Sequence, residues 1–138
     1  MSVPFLACMA AVAAFHHLPP RALPSIQAVE GGRIGMVSPN TNGTSDLGLM
    51  QVNTLWIAPI ARHTGQSEDV VRARLIDDGC FNIAAAGAIL RLYLNEAGGD
   101  LMRAVGYYHS HDPLRGAAYR DKVVASASRL FVRPPPGG

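Results

Sequence analysis

The sequence has little charge, little cysteine and no long apolar run, and each of these shortages excludes a class of protein. Only 16% of its 138 residues are charged and the formal net charge is +2, far from the basic stripe of a nucleic-acid-binding protein. No apolar run approaches the ~20 residues that a membrane-spanning helix needs. Two cysteines are too few for a cysteine-rich scaffold, and their spacing matches no zinc motif. We therefore expect no nucleic-acid partner and no membrane span.

The apolar content is sufficient for one folded domain. A chain of 138 residues with a hydrophobic fraction of 49% can bury its own core, which argues against disorder. The last six residues, Arg133 to Gly138, contain three prolines and two glycines. We therefore predict a domain over residues 1–132, followed by a flexible tail over residues 133–138.

The N-terminal segment resembles the apolar core of a signal peptide, but it lacks the basic region that precedes such a core. The first basic residue is Arg21, and the apolar run continues toward His16. The lack of a basic region also argues against interpreting Leu6-Ala7-Cys8 as a lipoprotein signal. We therefore predict the first helix of a mature domain, and, for an exported protein, a leader outside this chain.

Apolar periodicity and helix-boundary residues predict a mainly helical protein. The segment from Phe81 to Ala97 is rich in alanine and apolar on nearly every side, which is typical of a buried central helix. The predicted helices cover residues 4–16, 20–30, 56–63, a segment capped by Ser67, 81–97, 100–110 and 115–131. Residues 33–54 lie between helices and are rich in turn residues. The fold class that follows is α+β, mainly helical, with one small β-hairpin bordering a cleft.

The most informative segment is this hairpin. Asn42-Gly43 predicts a tight turn, because both residues tolerate the positive φ that hairpin turns demand. Behind the turn, an extended segment carries polar side chains that can line a cleft, namely Asp46, Gln51 and Asn53. The hairpin is therefore the predicted site region.

Two carboxyl groups flank this region. Glu30 lies at the predicted end of a helix, on the same face as Ile26 and Leu23, where burial would raise its pKa and keep it protonated. Asp46 lies on the hairpin. Two carboxyl groups on opposite sides of a sugar chain are the machinery of many glycosidases. The alternatives are a solvated glutamate at a helix end and an aspartate that closes the turn.

The stretch from Asn40 to Thr54, Asn-Thr-Asn-Gly-Thr-Ser-Asp-Leu-Gly-Leu-Met-Gln-Val-Asn-Thr, resembles the active-site hairpin of the lysozyme superfamily. It is similar to C-type lysozymes and to the specialised lytic transglycosylases associated with secretion, pilus and conjugation machines. The resemblance implies a lysozyme-like fold without a cofactor. It also implies cleavage of the β-1,4 bond between N-acetylmuramic acid and N-acetylglucosamine, with Glu30 as general acid/base and Asp46 as second carboxylate.

What the resemblance implies further is a periplasmic or exported enzyme that acts on peptidoglycan strands. A transglycosylase would release 1,6-anhydro-muropeptides and open the wall for a secretion, pilus or conjugation apparatus. A hydrolytic muramidase that uses both carboxyl groups is the first alternative. An inactive glycan-binding assembly scaffold is the second. The mild basicity of the chain, with a pI near 8.8, suits an anionic cell-wall polymer.

The resemblance also assigns substrate-binding residues on the hairpin. These residues are Asn42 and the Gly-Leu-Met-Gln element, which contains Met50. In this element, Gly48 would let the backbone approach the glycan. The amide of Gln51 would bind acetamido or hydroxyl groups. Asn53 would orient Gln51 or Glu30. The alternatives are a half-buried strand for the element and a turn role for Asn53.

A third element lies on a later helix. Ala104 to Ser110 is similar to the family pattern Ala-x-x-x-Tyr-Asn-Ala-Gly, with Tyr108 at the tyrosine position and His109 replacing the asparagine. The resemblance implies that Tyr108 bonds Glu30 and stacks on a sugar, and that His109 belongs to the substrate-binding surface. His109 and His111 lack a third ligand nearby, so we predict no metal site.

The chain departs from the family pattern at one further position. The family usually has Glu-Ser where this chain has Glu30-Gly31.

The cysteines have two interpretations. Residue types alone are compatible with two independent buried thiols. Relatives with this hairpin commonly carry one cysteine in the first helix and one before the long central helix. Cys8 and Cys80 match these positions, so the resemblance implies one disulfide and an oxidising compartment.

Overall fold

The computed structural model describes residue 3 and residues 5–131, and it shows a mainly helical α+β protein with a small antiparallel sheet. The predicted tail over residues 133–138 lies outside the described residues. The elements in chain order are α1 (Leu6–His16), α2 (Ala22–Glu30), β1 (Val37–Pro39), β2 (Ser45–Leu47), β3 (Val52–Asn53), a short 3-10 helix (Thr54–Trp56), α3 (Ile57–Thr64), α4 (Glu68–Asp77), α5 (Gly79–Glu96), α6 (Leu101–His109) and α7 (Pro113–Phe131). Within the described ranges, no helix is long and apolar enough to cross a membrane.

Local side-chain chemistry explains where three of the helices begin. The residue before each first turn accepts a hydrogen bond from the backbone N–H three residues later, which satisfies one of the unpaired donors at a helix start. These caps are Ser67 for α4, Asp78 for α5 and Asp100 for α6. The sequence predicted the cap at Ser67, and it predicted that a helix begins at Asp100.

The core surrounds α5. This helix packs against α1, α4 and α6, while α2 packs mainly against α7. Fully buried side chains from five segments meet there: Met9, Ile26, Met50, Leu75, Ile83 and Leu90. The prediction of a buried central helix is confirmed, although Leu92 lies on an exposed strip of it.

The disulfide implied by the family resemblance is confirmed. Cys8 of α1 and Cys80 in the first turn of α5 are bonded, with their Cα atoms 5.6 Å apart. Two turns further along α5, the Val12 side chain of α1 packs against Gly87, which has no side chain. Helix α1 therefore lies close to the central helix. The bond closes the loop from residue 8 to residue 80. A native disulfide of this kind typically contributes about 2–5 kcal/mol to the free energy of unfolding.

The sheet has the order β1-β2-β3, and it brings the polar hairpin residues into register. Asp46 of β2 lies between Ser38 of β1 and Asn53 of β3. The turn differs from the tight turn that the sequence predicted. Of the pair Asn42-Gly43, only Gly43 has a positive φ, and the connection is a longer loop in which the Asn42 side chain accepts hydrogen bonds from Thr44.

One buried asparagine joins the hairpin to the helices. The Asn82 Oδ1 accepts from the Met50 N–H at 2.7 Å, and its Nδ2 donates to the carbonyl oxygens of Leu47 at 2.9 Å and Leu75 at 2.8 Å. Gly48 lies at this contact with a φ of +68°, and a Cβ there would overlap the Leu75 carbonyl oxygen. Backbone groups that secondary structure leaves unpaired are thus satisfied by one side chain. The hairpin position is fixed from the core.

Candidate active site

An open cleft of about 680 Å³ runs between the hairpin and the helices. The hairpin forms one wall, the end of α2 and part of α6 form another, and Ile89 and Tyr93 of α5 also line the cleft. Its lining includes Glu30, Asn42, Asp46, Gln51, Asn53, Trp56, Tyr93, Tyr107, Tyr108, His109 and His111. A cleft with polar groups on both walls and aromatic rings at one end suits an extended polar ligand.

The Glu30 carboxyl in the cleft has a strongly raised pKa. The pKa of Glu30 is raised from its usual value of 4.5 to about 7, mainly by burial; the hydrogen bond from Tyr119 opposes the shift, and the negative charge of Asp46 adds a smaller contribution in the same direction as burial. That hydrogen bond joins the Tyr119 hydroxyl to Glu30 Oε1 at 2.8 Å. At neutral pH a carboxyl of this kind exists in both protonation states, which is the condition for a group that gives and takes a proton.

Two glycines place Glu30 at the cleft. Gly31 adopts a φ of +64° and ends α2 directly after the glutamate, a conformation that costs a serine more than a glycine. At Gly32, a Cβ would overlap the carbonyl oxygens of Gly48 and Leu49. The end of α2 therefore lies against the backbone of the hairpin.

Asp46 faces the same cleft from β2. Asn53 Nδ2 donates to Asp46 Oδ1 at 3.0 Å and to Thr44 Oγ1 at 3.0 Å, and its own Oδ1 accepts from the Leu55 N–H. The expectation that Asn53 orients Gln51 or Glu30 is wrong, because its amide group is committed to the carboxylate of the neighbouring strand. Asp46 bonds across the sheet, so the turn-closing alternative does not describe it.

The Gly-Leu-Met-Gln element divides between core and cleft. Gln51 lines the cleft, with a φ of +54° and its Nε2 donating to the Gly48 carbonyl oxygen at 2.9 Å. Gly48 and Met50 are buried and do not line the cleft. The expectation that Gly48 lets the backbone approach a glycan is wrong: its missing side chain makes room for α4 and Asn82. Asn42 lines the cleft from the loop.

The tyrosine that bonds Glu30 is not the one that the resemblance implied. Tyr108 donates its hydroxyl to the Met50 carbonyl oxygen at 2.9 Å, so it joins α6 to the hairpin. Tyr119 of α7 bonds Glu30 instead. Burial is the main cause that raises the pKa of both tyrosines above their ordinary value, so both hydroxyls remain protonated donors.

Tyr119 belongs to a stripe of buried α7 residues at helical spacing: Gly116, Tyr119, Val123 and Ser126. A tyrosine on a buried stripe needs a partner for its hydroxyl, and this is the sequence signal that could have indicated it. His109 stacks on the Tyr119 ring, with centroids 4.9 Å apart and an interplanar angle of 7°. His109 therefore lines the cleft, and its ring lies against the tyrosine that donates a hydrogen bond to Glu30.

An aromatic cluster that the sequence did not predict lines one end of the cleft. Tyr93 makes edge contacts with Trp56, Tyr107 and His111 at centroid distances of 6.0, 6.2 and 5.4 Å. His111 also stacks on Tyr107 at 4.2 Å and bonds Glu96 at 2.9 Å. These rings come from the 3-10 helix, α5, α6 and the connection between α6 and α7, so only the fold brings them together.

In the part of the chain that the structure describes, no group of three or more His, Cys, Asp and Glu side chains is placed to hold a metal ion. Comparison of the sequence with models of known protein families finds no match, and a search of curated proteins finds none. The lysozyme-like family and fold therefore stay predictions, and the function is argued from the cleft.

Proposed function

We propose that this protein is a peptidoglycan-cleaving lytic transglycosylase that acts on the bond between N-acetylmuramic acid and N-acetylglucosamine. The observation that carries the proposal is the Glu30 carboxyl, which has a pKa of about 7 and lines the same cleft as Asp46. Only a protonated carboxyl can donate to a glycosidic oxygen, and burial keeps a large fraction of Glu30 protonated near neutral pH.

The proposed reaction uses Glu30 twice. Its proton goes to the bridging oxygen as the glycosidic bond breaks, which releases N-acetylglucosamine and leaves a cationic muramyl centre. The resulting carboxylate then takes the proton of the muramyl 6-hydroxyl, whose oxygen bonds to that centre and closes the anhydro ring. The Tyr119 hydrogen bond supports both steps, because it orients the carboxyl and stabilises its charged form.

In the proposed reaction, Asp46 supplies negative charge within the same cleft as the acid. Its carboxylate is held by Asn53 in a fixed orientation, which suits electrostatic stabilisation of a cationic centre. The aromatic cluster at the cleft end supports the same substrate class, since ring faces offer apolar area to a sugar and the cleft remains polar elsewhere.

The disulfide supports an oxidising compartment. We therefore propose a periplasmic or exported enzyme whose partners are glycan strands and, by the resemblance of the hairpin, components of a secretion, pilus or conjugation apparatus. The purpose of the cleavage would be a local opening in the wall.

A hydrolytic muramidase is the second candidate, and the Asn53–Asp46 hydrogen bond favours it, because an oriented carboxylate is also what a nucleophile needs. An inactive scaffold has less support. Burying an acid next to a second carboxylate destabilises the fold at neutral pH, and a binding protein gains nothing from it.

Purified sacculi provide the test. Turbidity should fall with the wild type and with Glu68→Gln, which removes an exposed carboxyl of α4 as a matched control. Mass spectra should show anhydro-muropeptides, one water lighter than hydrolysis products. Asp46→Asn should slow cleavage only moderately, by roughly tenfold. Reducing-end products together with an inactive Asp46→Asn would identify a muramidase, and unchanged turbidity with the wild type would refute both enzymes.

A further inference from the structure

A second, smaller pocket adjoins the cleft at the junction of α6 and α7. It has a volume of about 210 Å³ and shares the wall formed by Tyr107, Ser110 and His111 with the main cleft. We call it the arginine pocket, because Arg103 of α6 and Arg120 of α7 both line it. A group that branches from a ligand in the cleft can enter it over the shared wall.

Two glycines make the arginine pocket possible. Gly106 and Gly116 face each other where α6 and α7 cross, and a Cβ on Gly106 would lie 3.4 Å from the Gly116 Cα. The aliphatic part of Arg120 also lies over Gly106, since the same Cβ would meet Arg120 Cδ at 3.5 Å. The floor is therefore backbone and small side chains, and the guanidinium groups supply the chemistry.

The charge of the pocket is unbalanced. Among residues 3 and 5–131, neither Arg103 nor Arg120 forms an ion pair through its guanidinium. The one carboxylate in the lining, Asp112, accepts hydrogen bonds from the Leu114 and Arg115 backbone N–H groups at the start of α7. Two like charges that share a small pocket repel each other unless an anion lies between them.

We propose that the arginine pocket binds a carboxylate of the peptide that peptidoglycan carries on its muramic acid. Guanidinium groups match carboxylates in planar, paired hydrogen bonds, and the shared wall places this pocket beside a strand in the cleft. The inference rests on the proposed function for the identity of the ligand, and it deepens that function by assigning a preference for strands that bear peptides.

A soluble probe tests the pocket without any cleavage. Alanyl-γ-glutamyl-lysine tripeptide should shift the NMR amide signals of Gly106, Gly116 and Ala117 in the full chain. The double variant Arg103→Gln/Arg120→Gln should lose these shifts, and Arg62→Gln, which removes an exposed arginine of α3, should keep them. Equal shifts from the fully amidated tripeptide, or from acetate at the same concentration, would overturn recognition of a peptide carboxylate.

Cleavage kinetics test the consequence. For the wild type, KM on peptide-bearing strands should be about three- to tenfold lower than on strands stripped of peptide, which is the range for two partly exposed ion pairs. The double glutamine variant should lose the difference, and Arg103→Lys/Arg120→Lys should retain part of it. Equal KM values for both strands in the wild type would overturn the preference. If sacculi stay intact while the tripeptide shifts appear, the enzyme fails and the peptide site stands.

Discussion

The two walls of the cleft carry the same chemical group in opposite settings. Glu30 ends a nine-residue helix packed against α7, and its partly buried carboxyl receives one tyrosine hydrogen bond. Asp46 lies in a three-residue strand and is held by an amide from the adjacent strand. Burial between packed helices raises the pKa of Glu30, and the hydrogen bond from Asn53 fixes the orientation of the Asp46 side chain. The difference is set by the packing around each residue and not by its type.

The helical wall has an energetic cost that depends on pH. The folded pKa of Glu30 is about 7 and its ordinary value is 4.5, so between these pH values the folded state binds more protons than the unfolded state. Stability therefore falls as pH rises through this window. Since one pKa unit corresponds to about 1.4 kcal/mol, the full loss above pH 7 is on the order of 3 kcal/mol.

The largest expected effect comes from removing the transferable proton. Glu30→Gln should keep the fold and reduce cleavage of sacculi by at least ~10²–10⁴-fold, because general acid catalysis has about this value. The same variant should be more stable than the wild type at pH 8 and should lose that advantage at pH 4, where the wild-type carboxyl is neutral. Urea unfolding at both pH values measures this, with Glu68→Gln as control. Wild-type activity, or an advantage that is equal at both pH values, would contradict the description of the helical wall.

The hairpin wall should be most sensitive to substitution of Asn82, the α5 residue that bonds its backbone. Asn82→Ala removes partners from the Met50 N–H and from the Leu47 and Leu75 carbonyl oxygens, so we expect a loss of about 2–4 kcal/mol. Hydrogen exchange at the Met50 amide should accelerate. Asn95→Ala, on an exposed face of the same helix, should change stability by less than about 0.5 kcal/mol. Equal effects of the two substitutions would mean that the bridge does not fix the hairpin.

The smallest expected effect is a shift in the pKa of Glu30 when its hydrogen bond from Tyr119 is removed. The Tyr119 hydrogen bond lowers the pKa of Glu30 against the effect of burial, so Tyr119→Phe should raise that pKa further. The limb of the pH–rate profile that requires the protonated acid should move to higher pH, by about one unit or less. Tyr107→Phe, which removes a cleft hydroxyl that does not bond Glu30, should leave the midpoint unchanged. A shift to lower pH in Tyr119→Phe would contradict the role of this hydrogen bond.

Helix positions were predictable from the sequence because they depend on local chemistry. Ser67 caps α4 as predicted, α6 begins directly after Asp100, where a helix start was predicted, and Gly31 ends α2 at the expected residue. Both carboxyl groups and the hairpin were also found, since turn residues and the apolar face of α2 lie within short windows of sequence.

The partners of these groups were not predictable in the same way. Tyr119 lies 89 residues from Glu30 along the chain, and its role depends on how α7 docks on α2. Tyr108 was assigned that role by analogy with a motif, while the fold directs its hydroxyl to Met50. Asn82 stands within a predicted apolar helix, and only tertiary packing shows which backbone groups it satisfies.

The missing side chain of Gly48 bears on protein engineering. Because a Cβ at this position would overlap the Leu75 carbonyl oxygen, the hairpin fits only a recipient surface that has a matching recess. Transplanting residues 39–56 alone into another helical scaffold would therefore not transfer the site. A successful graft must carry the end of α4 and the first turns of α5 with it, so the smallest portable unit of this site is discontinuous in sequence.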